Sequence, residues 1–206
     1  MLTLYYAPNT CSLATHIALI EAGAPYELVR LSFASADQRK PEFLALNPKG
    51  RVPALVTEQG ILTETPALLA YVAQRFPSAG LAPLDDAFAF ARAQEFNSYL
   101  CSTVHVAHAH RMRGYRWTDD AEAIASLQRK VPHSVTEGFA LIEDKMLAGP
   151  FLLGERFSIC DAYLFTLAQW LEADGADLAR LPRVLEHRAR CAARDSVRRA
   201  IAEEFA

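Results

Sequence analysis

The chain has 206 residues, of which 51% are hydrophobic and 22% are charged. This composition is that of a globular protein with a core, and the length suits one large domain or two small ones. A net charge of −3 argues against a general nucleic-acid binder, which would carry a basic excess. No apolar run approaches the roughly 20 residues that span a bilayer, so no membrane association is expected.

The N-terminal region and the cysteines indicate a cellular compartment. The first basic residue is Arg30, so the N-terminus lacks the basic segment of a secretory signal. The four cysteines are scattered and include no C-x-x-C pair. Such cysteines are typical of reduced thiols in a cytosol, and we therefore expect a cytoplasmic protein.

The first 76 residues alternate between strand-like and helix-like segments. Short runs of apolar and aromatic residues predict strands, and Gly60 marks the turn of a hairpin. Helical spacing of apolar residues predicts helices, of which the first ends at Gly23 and the last begins at Pro66. The predicted order is a strand at 2–6, a helix at 11–22, a strand at 26–31, a short helix ending near 47, a hairpin with strands at 54–56 and 61–63, and a helix at 66–75.

The composition changes after residue 76. Residues 77–84 are rich in proline, glycine and serine, which predicts a linker, and no strand is predicted beyond it. We therefore expect an α/β domain at 1–76, the linker at 77–84, and an all-helical domain at 85–206.

Within the helical part, long helices are predicted at 85–113 and 120–147. Pro132 predicts a kink or break in the second of them. Ser158 and Asp161 have the spacing of a capping box, which predicts a further helix running to about residue 173. Two shorter helices complete the chain.

Cys11 lies where a strand and a turn lead into the first helix. A helix N-terminus carries about half a positive charge and unpaired amides, and both stabilise a thiolate. The position suits a nucleophilic cysteine or a bound thiolate beside it, and the alternative is an inert packing residue. Because Ala14 replaces the second cysteine of a C-x-x-C pair, a dithiol cycle is not expected, whereas monothiol exchange stays open.

Glu64 and Thr65 end a predicted strand and begin a helix. The Glu64 carboxylate suits an ammonium group, and the Thr65 hydroxyl with the nearby amides suits a carboxylate. The alternative is purely structural, with Thr65 as the N-cap of a helix that starts at Pro66.

His105, His108 and Arg111 fall on adjacent turns of one predicted helix face. With neighbouring arginines they would form a basic wall for an anionic ligand, or simply a solvated helix face. A metal site formed with His110 is not expected, because His110 faces away from the other two histidines and no cysteine or carboxylate ligand lies nearby.

Four segments together resemble the bacterial glutathione transferases of the beta class, in the family's order and spacing over the whole chain. They are residues 5–8 with 11–13 and 16–19, residues 47–55, residues 62–65 and residues 157–163. The resemblance implies a thioredoxin-like N-terminal domain that binds glutathione and an all-α C-terminal domain that shapes the site for a second substrate.

The resemblance also implies roles for individual residues. Cys11 would lie beside the glutathione thiol and form a mixed disulfide with it. Because other classes use a serine or tyrosine near this turn, Thr10, Ser12 and Tyr6 compete with Cys11 in activating the thiol. The implied glutathione contacts are Lys49, Val52, Pro53 (after a cis peptide bond), Glu64, Thr65 and His105, and the implied second-substrate contacts are His108, Arg111 and Met112.

The expected function is therefore that of a detoxifying glutathione transferase acting on small hydrophobic electrophiles, with glutathione as co-substrate and no resident cofactor or metal. A homodimer is implied, since two-fold dimers are the commonest assembly. Two alternatives stay open: a non-catalytic binding or scaffold protein on the same fold, and a glutaredoxin-like thiol reductase acting through Cys11.

Overall fold

The computed structural model describes all residues, 1–206, as two compact units. The first unit comprises residues 1–94 and 192–206, and the second comprises residues 95–191. The domain division predicted from composition, with its linker at 77–84, stays a prediction. The compact units differ from it most clearly at the C-terminus, where the last helix belongs to the first unit.

Four strands and nine α-helices make up the regular structure. In chain order they are β1 (Leu2–Tyr6), α1 (Ser12–Glu21), β2 (Tyr26–Arg30), α2 (Pro41–Leu46), β3 (Ala54–Thr57), β4 (Gly60–Thr63), α3 (Thr65–Arg75), α4 (Ala87–Tyr99), α5 (His105–Arg113), α6 (Ala121–Leu141), α7 (Ile159–Ala168), α8 (Pro182–Ala192) and α9 (Asp195–Phe205). None of these helices combines the length and the apolar character needed to cross a membrane.

The first unit is built on a mixed sheet with the strand order β2-β1-β3-β4. β1 is parallel to β2, and β3 is antiparallel to both β1 and β4. Along β1 the side chains of Leu2, Leu4 and Tyr6 are buried while those between them are less so, as the alternation of a strand requires. The predicted thioredoxin-like order of strands and helices, including the terminal hairpin, is confirmed.

The helix boundaries differ from the predicted ones by a few residues. α3 begins at Thr65 instead of Pro66, so Glu64 and not Thr65 occupies the N-cap position. α7 ends at Ala168, short of the predicted end near 173. The chain turns there instead, and Gly175, with a φ of 71°, adopts the left-handed conformation that glycine favours.

The second unit is helical, as predicted, although its long helices are less regular than expected. Between α4 and α5 the chain forms a π-helical turn at Leu100–Val104, and another follows α6 at Ile142–Met146. α6 continues through Pro132, so of the predicted kink or break the break is wrong and the kink stays a prediction. Buried Val131 and Val135 anchor the helix on both sides of the proline, which compensates for its missing hydrogen bond.

In the first unit, α9 is attached through His16 of α1, which is fully buried between two glutamates. His16 Nε2 is 2.9 Å from Glu203 Oε2, and its Nδ1 is 3.7 Å from Glu204 Oε1. The Tyr26 hydroxyl also donates to Glu203, at 2.7 Å. Partial burial raises the pKa of Glu203, but hydrogen bonds from Tyr26, Arg199 and His16 outweigh it and lower this pKa to about 2.

In the second unit, the predicted capping box at the start of α7 is confirmed. Ser158 Oγ accepts a hydrogen bond from Cys160 N–H, and the Asp161 carboxylate accepts from both the amide and the hydroxyl of Ser158. Asp161 also accepts from the Leu152 amide at 2.7 Å and from His187 Nε2 at 2.8 Å. This fully buried carboxylate therefore joins α7, α8 and the preceding loop.

The capping box predicts a graded loss of stability. Ser158→Ala removes one cap and should lower the free energy of unfolding by about 1 kcal/mol. Asp161→Ala should lower it by about 3–5 kcal/mol, because it leaves His187 and two amides buried without their acceptor. Urea unfolding followed by circular dichroism measures both changes, and equal losses for the two variants would contradict the assignment.

Glu203 predicts a dependence of stability on pH. Its pKa falls from 4.5 to about 2 on folding, so the carboxylate stabilises the fold fully above about pH 4.5, and this contribution is lost as the pH falls through 2. We expect Glu203→Gln to lower the free energy of unfolding at pH 7 by about 1–2 kcal/mol, since solvent reaches part of the carboxylate. The variant should also lose less stability than the wild type on acidification.

Urea unfolding at a series of pH values provides the measurement. Glu27→Gln on the exposed side of β2 is the matched control, and it should follow the wild-type pH profile. If Glu203→Gln followed that profile too, the His16 attachment would contribute nothing through this carboxylate.

Candidate functional site

The turn at 7–11 places Cys11 immediately before α1, in the N-cap position, where no side chain caps the helix. The Cys11 thiol is half-buried and lies 3.5 Å from the Val52 carbonyl oxygen, which precedes β3. The sheet thus brings the thiol next to the loop before β3, although the two are separated by 41 residues. Cys11 and Val52, two of the predicted site residues, are therefore neighbours.

The hydroxyls of Thr10 and Ser12 are occupied in shaping this turn. They are 2.8 Å apart, and both donate to the Ala7 carbonyl, at 2.8 and 3.2 Å. The Thr10 hydroxyl also accepts from the Ser12 amide. Ser12 is fully buried, so its hydroxyl cannot reach a ligand, whereas Thr10 is partly exposed.

Tyr6 is separated from this group. Its ring packs against His16, with the ring centroids 6.3 Å apart. Burial raises the pKa of Tyr6, and the charges of Glu203 and Glu204 act in the same direction. The predicted candidates for thiol activation are thus divided, with Cys11 and Thr10 on the accessible side of the turn.

The turn before Cys11 lies close to the C-terminal helix, α9. Asn9, two residues before Cys11, has a positive φ of 57°. Burial raises the pKa of Glu204, while the Asn9 amide and His16 act to lower it. The backbone before Cys11 therefore lies beside α9.

The loop before β3 is held by its own hydrogen bonds. The Asn47 side chain donates to the Arg51 carbonyl at 2.7 Å and accepts from the Lys49 amide at 3.2 Å. Gly50 has a φ of 60°, and a Cβ atom there would lie 2.9 Å from the Gln38 carbonyl oxygen. The loop leads into a cis peptide bond between Val52 and Pro53, as the resemblance implied.

Glu64 occupies an unusual conformation between β4 and α3. Its φ is 74°, although it is not a glycine, and no side chain caps the N-terminus of α3. The amides of the first turn are therefore available to an anion. Lys49 Nζ is 2.5 Å from Glu64 Oε1 and 2.6 Å from the Thr63 hydroxyl, so a predicted cation and a predicted carboxylate of the site are paired with each other.

In the second unit, His105 and His108 lie on Trp170 of the segment after α7. The His108 ring is stacked on Trp170 at 4.1 Å, and the His105 ring lies 5.3 Å away from it. His108 Nδ1 donates to the Asp174 carboxylate, and Arg111 Nε is 3.4 Å from the same group. The predicted common face of α5 is confirmed, and we call these five residues the α5 cluster.

The remaining residues of α5 have different surroundings. Met112 is largely exposed. His110 packs edge-on against Trp117, with the centroids 4.5 Å apart, and so lies apart from the α5 cluster, as predicted.

Several residues of these sites were not found from the sequence. Glu204, Trp170 and Asp174 carry no local motif: the first lies in a polar terminal helix, and the others lie near a turn. The one local signal is Trp170 itself, a tryptophan two residues after an almost wholly apolar helix.

The structure predicts that Gly50 cannot be replaced. Gly50→Ala should lower the free energy of unfolding by about 2–4 kcal/mol, because the φ of 60° disfavours a side chain and the Cβ atom would overlap the Gln38 carbonyl. Gly23→Ala is the matched control, with a φ of 62° and open space around the position, and should cost about 1 kcal/mol. Urea unfolding compares the two, and equal costs would exclude the overlap.

Comparison with known proteins points to one family. Residues 1–74 match the family model of the glutathione S-transferase N-terminal domain, and residues 130–190 match that of the C-terminal domain. Glutathione S-transferase GstA of Escherichia coli O157:H7 is 29% identical over 204 residues, which cover 98% of each chain.

Solved structures agree with this result. A glutathione transferase homologue from Sulfitobacter with bound glutathione is 46% identical, covers 100% of this chain and 99% of its own, and has a TM-score of 0.95. A beta class glutathione S-transferase from Sphingomonas chungbukensis is 33% identical over 98% of both chains, with a TM-score of 0.85.

Proposed function

Because this chain belongs to the glutathione S-transferase family, we propose that it transfers the thiolate of glutathione to small hydrophobic electrophiles, and that Cys11 can hold glutathione as a mixed disulfide. The observation that carries the proposal is the position of Cys11, half-buried at the start of α1 and 3.5 Å from the Val52 carbonyl. A sulfur atom bound here meets the positive end of the α1 dipole.

The backbone of the first unit suits an extended peptide. Val52, before cis-Pro53, presents backbone groups beside β3, and a tripeptide can pair with such groups as an added strand. The uncapped N-terminus of α3 at Thr65 is suited to the α-carboxylate of the γ-glutamyl residue.

Glu64 is suited to the ammonium group on the same carbon. The exposed pair that it forms with Lys49 contributes little to stability, and a ligand ammonium can replace the lysine. Lys49 would then be available to a carboxylate of glutathione, and His105 stays a proposed contact.

Two reactions are consistent with this site. In conjugation, the sulfur of the glutathione thiolate bonds to an electrophilic carbon and a leaving group departs with its electron pair. In exchange, the Cys11 thiolate attacks a disulfide that contains glutathione, forms the Cys11–glutathione disulfide and expels the other sulfur as a thiolate. Glutathione is a co-substrate in both, and neither requires a metal or a resident cofactor.

The proposal places the electrophile on the second unit, at His108, Arg111 and Met112. The exposed side chain of Met112 provides an apolar contact there. A cytoplasmic homodimer completes the proposal, supported by the scattered cysteines and by the prevalence of two-fold dimers.

Intact mass and thermal melting test the role of Cys11. We compare the wild type and Cys11→Ala, each with reduced and with oxidised glutathione at millimolar concentration. Both proteins should melt at a higher temperature with reduced glutathione, because a ligand that binds only the folded state stabilises it. With oxidised glutathione only the wild type should gain the mass of one glutathione. Cys191→Ala, which alters a fully buried cysteine, is the control and should retain the adduct.

Each other outcome has a distinct meaning. A melting shift without an adduct would leave thiol activation to Thr10 and remove the exchange reaction. The absence of both shift and adduct would favour the non-catalytic binding protein. Disulfide reduction lost in Cys11→Ala, without any conjugation, would favour the glutaredoxin-like reductase.

A further inference from the structure

The second unit carries a cleft that the proposed function does not use. It has a volume of about 320 Å³ and lies between one face of α8 and the loop that follows the second π-helical turn. Clefts that hold small molecules begin at about this size, in a range of roughly 300–1,000 Å³. The residues that form its walls are Arg183, Glu186 and Arg190 on α8, and Leu147, Gly149 and Pro150 on the loop.

One cation of this cleft is not neutralised by an acidic partner. Seven arginines lie between residues 180 and 199, and six of them form ion pairs with a glutamate or an aspartate. Arg183 is the exception, because its guanidinium donates to two uncharged carbonyl oxygens, that of Glu143 at 2.5 Å and that of Leu147 at 2.7 Å. A guanidinium has more N–H donors than these two hydrogen bonds use. Arg183 therefore keeps its charge and several donors for a ligand.

The donors of the cleft are held in place by the loop. Arg190 donates to the Pro150 carbonyl at 2.7 Å, so its guanidinium, like that of Arg183, is tied to the loop backbone. The loop folds back on Gly154 so closely that a Cβ atom on Gly149 would lie 2.9 Å from the Gly154 carbonyl oxygen. The Gly149 amide donates to no acceptor within residues 1–206, which makes it a third donor. Groups ordered in advance lose little further freedom when they bind a ligand.

The start of α8 and the buried groups behind the cleft already have their partners. Glu143 is buried, and its carboxylate accepts the amides of Arg183 and Val184 at 3.0 and 2.8 Å. His187 also borders the cleft, but it is buried and its Nε2 donates to Asp161. A ligand in the cleft therefore meets the two guanidinium groups and the loop amide, and not the start of the helix.

Glu186 is the acidic side chain that faces the cleft. Its carboxylate accepts a hydrogen bond from Arg190 Nη2 at 2.5 Å, and its side chain is 68% exposed. An exposed ion pair of this kind contributes little to stability, so an anion that binds Arg190 can displace Glu186 into solvent. The affinity of the cleft for an anion is therefore lowered by the competition of Glu186 for Arg190.

We propose that this cleft binds a phosphate monoester, with Arg183, Arg190 and the Gly149 amide as its donors. A phosphate monoester has three terminal oxygens, one for each donor group, and arginine binds phosphate oxygens through paired N–H groups. A carboxylate has only two oxygens. Leu147 and Pro150 form the apolar part of the wall and suit the organic part of the ester. The site lies within the second unit and does not depend on the proposed function.

Titration calorimetry of the whole protein tests this site with glycerol 3-phosphate, at an ionic strength held constant with potassium chloride. The wild type should bind the ester saturably. Arg183→Gln should weaken binding about tenfold or more, since a hydrogen bond between charged groups is lost. Glu186→Gln should strengthen binding severalfold, because the competing carboxylate is gone. Two effects of opposite sign on one helix face are the signature of an anion bound between these side chains.

A matched variant and two further probes complete the test. Arg129→Gln removes the same charge from an exposed ion pair on α6 of the same unit and should bind as the wild type does. Glycerate, which has a carboxylate instead of the phosphate ester, should bind about tenfold more weakly or less, and inorganic phosphate should bind more weakly than the ester. Melting temperatures establish that each variant is folded. Glu186→Gln, which alters an exposed side chain, decides the matter if Arg183→Gln does not fold.

Four results would overturn the inference. The first is the absence of saturable binding by the wild type. The second is an equal loss in Arg183→Gln and Arg129→Gln, which would mean a non-specific attraction of anions to basic side chains. The third is unchanged binding in both Arg183→Gln and Glu186→Gln, which would place the phosphate elsewhere on the protein. The fourth is binding of glycerate as tight as that of the ester, which would remove phosphate as the chemical class of the ligand.

Discussion

The first unit depends on the burial of His16 between Glu203 and Glu204. These three residues join the first helix of the unit to the last. Because His16 is fully buried, its ring nitrogens can form hydrogen bonds only with neighbouring side chains such as Glu203, and not with water. The backbone of Asn9, two residues before Cys11, lies close enough to Glu204 to lower the pKa of its carboxyl, against the larger effect of burial, which raises it. The end of the chain therefore lies beside the turn that precedes Cys11.

The elements that could be predicted are those whose cause lies within a few residues. The hairpin around Gly60 and the capping box of Ser158 and Asp161 are examples, because a turn or a cap is decided by residues three or four apart. The exact ends of helices are harder to predict, since helix propensity changes gradually along the chain. α6 passes through Pro132 because buried neighbours outweigh one missing hydrogen bond, and no local rule contains that balance.

The candidate site divides in the same way. Cys11, Glu64 and Thr65 could be found because helix starts and their charges are readable from the sequence. Glu204 and Asp174 could not be found, because each acts on a residue far away in the chain, and a carboxylate in a polar helix or near a glycine is ordinarily a surface residue. Their burial, which the fold alone decides, turns them into partners of His16 and His108.

The two units place their candidate residues by different means. In the first unit, the thiol end is defined mainly by backbone: a helix start, a cis peptide bond, two residues with positive φ and an uncapped helix. A single side-chain substitution changes the geometry of such a site little, because the whole fold sets the backbone geometry. In the second unit, the α5 cluster consists of side chains on a helix and a turn, so two substitutions are enough to create or remove the pair of His108 and Asp174. Substitutions in α5 and in the turn after α7 can therefore change the candidate residues of the second unit while the backbone of the first unit stays the same.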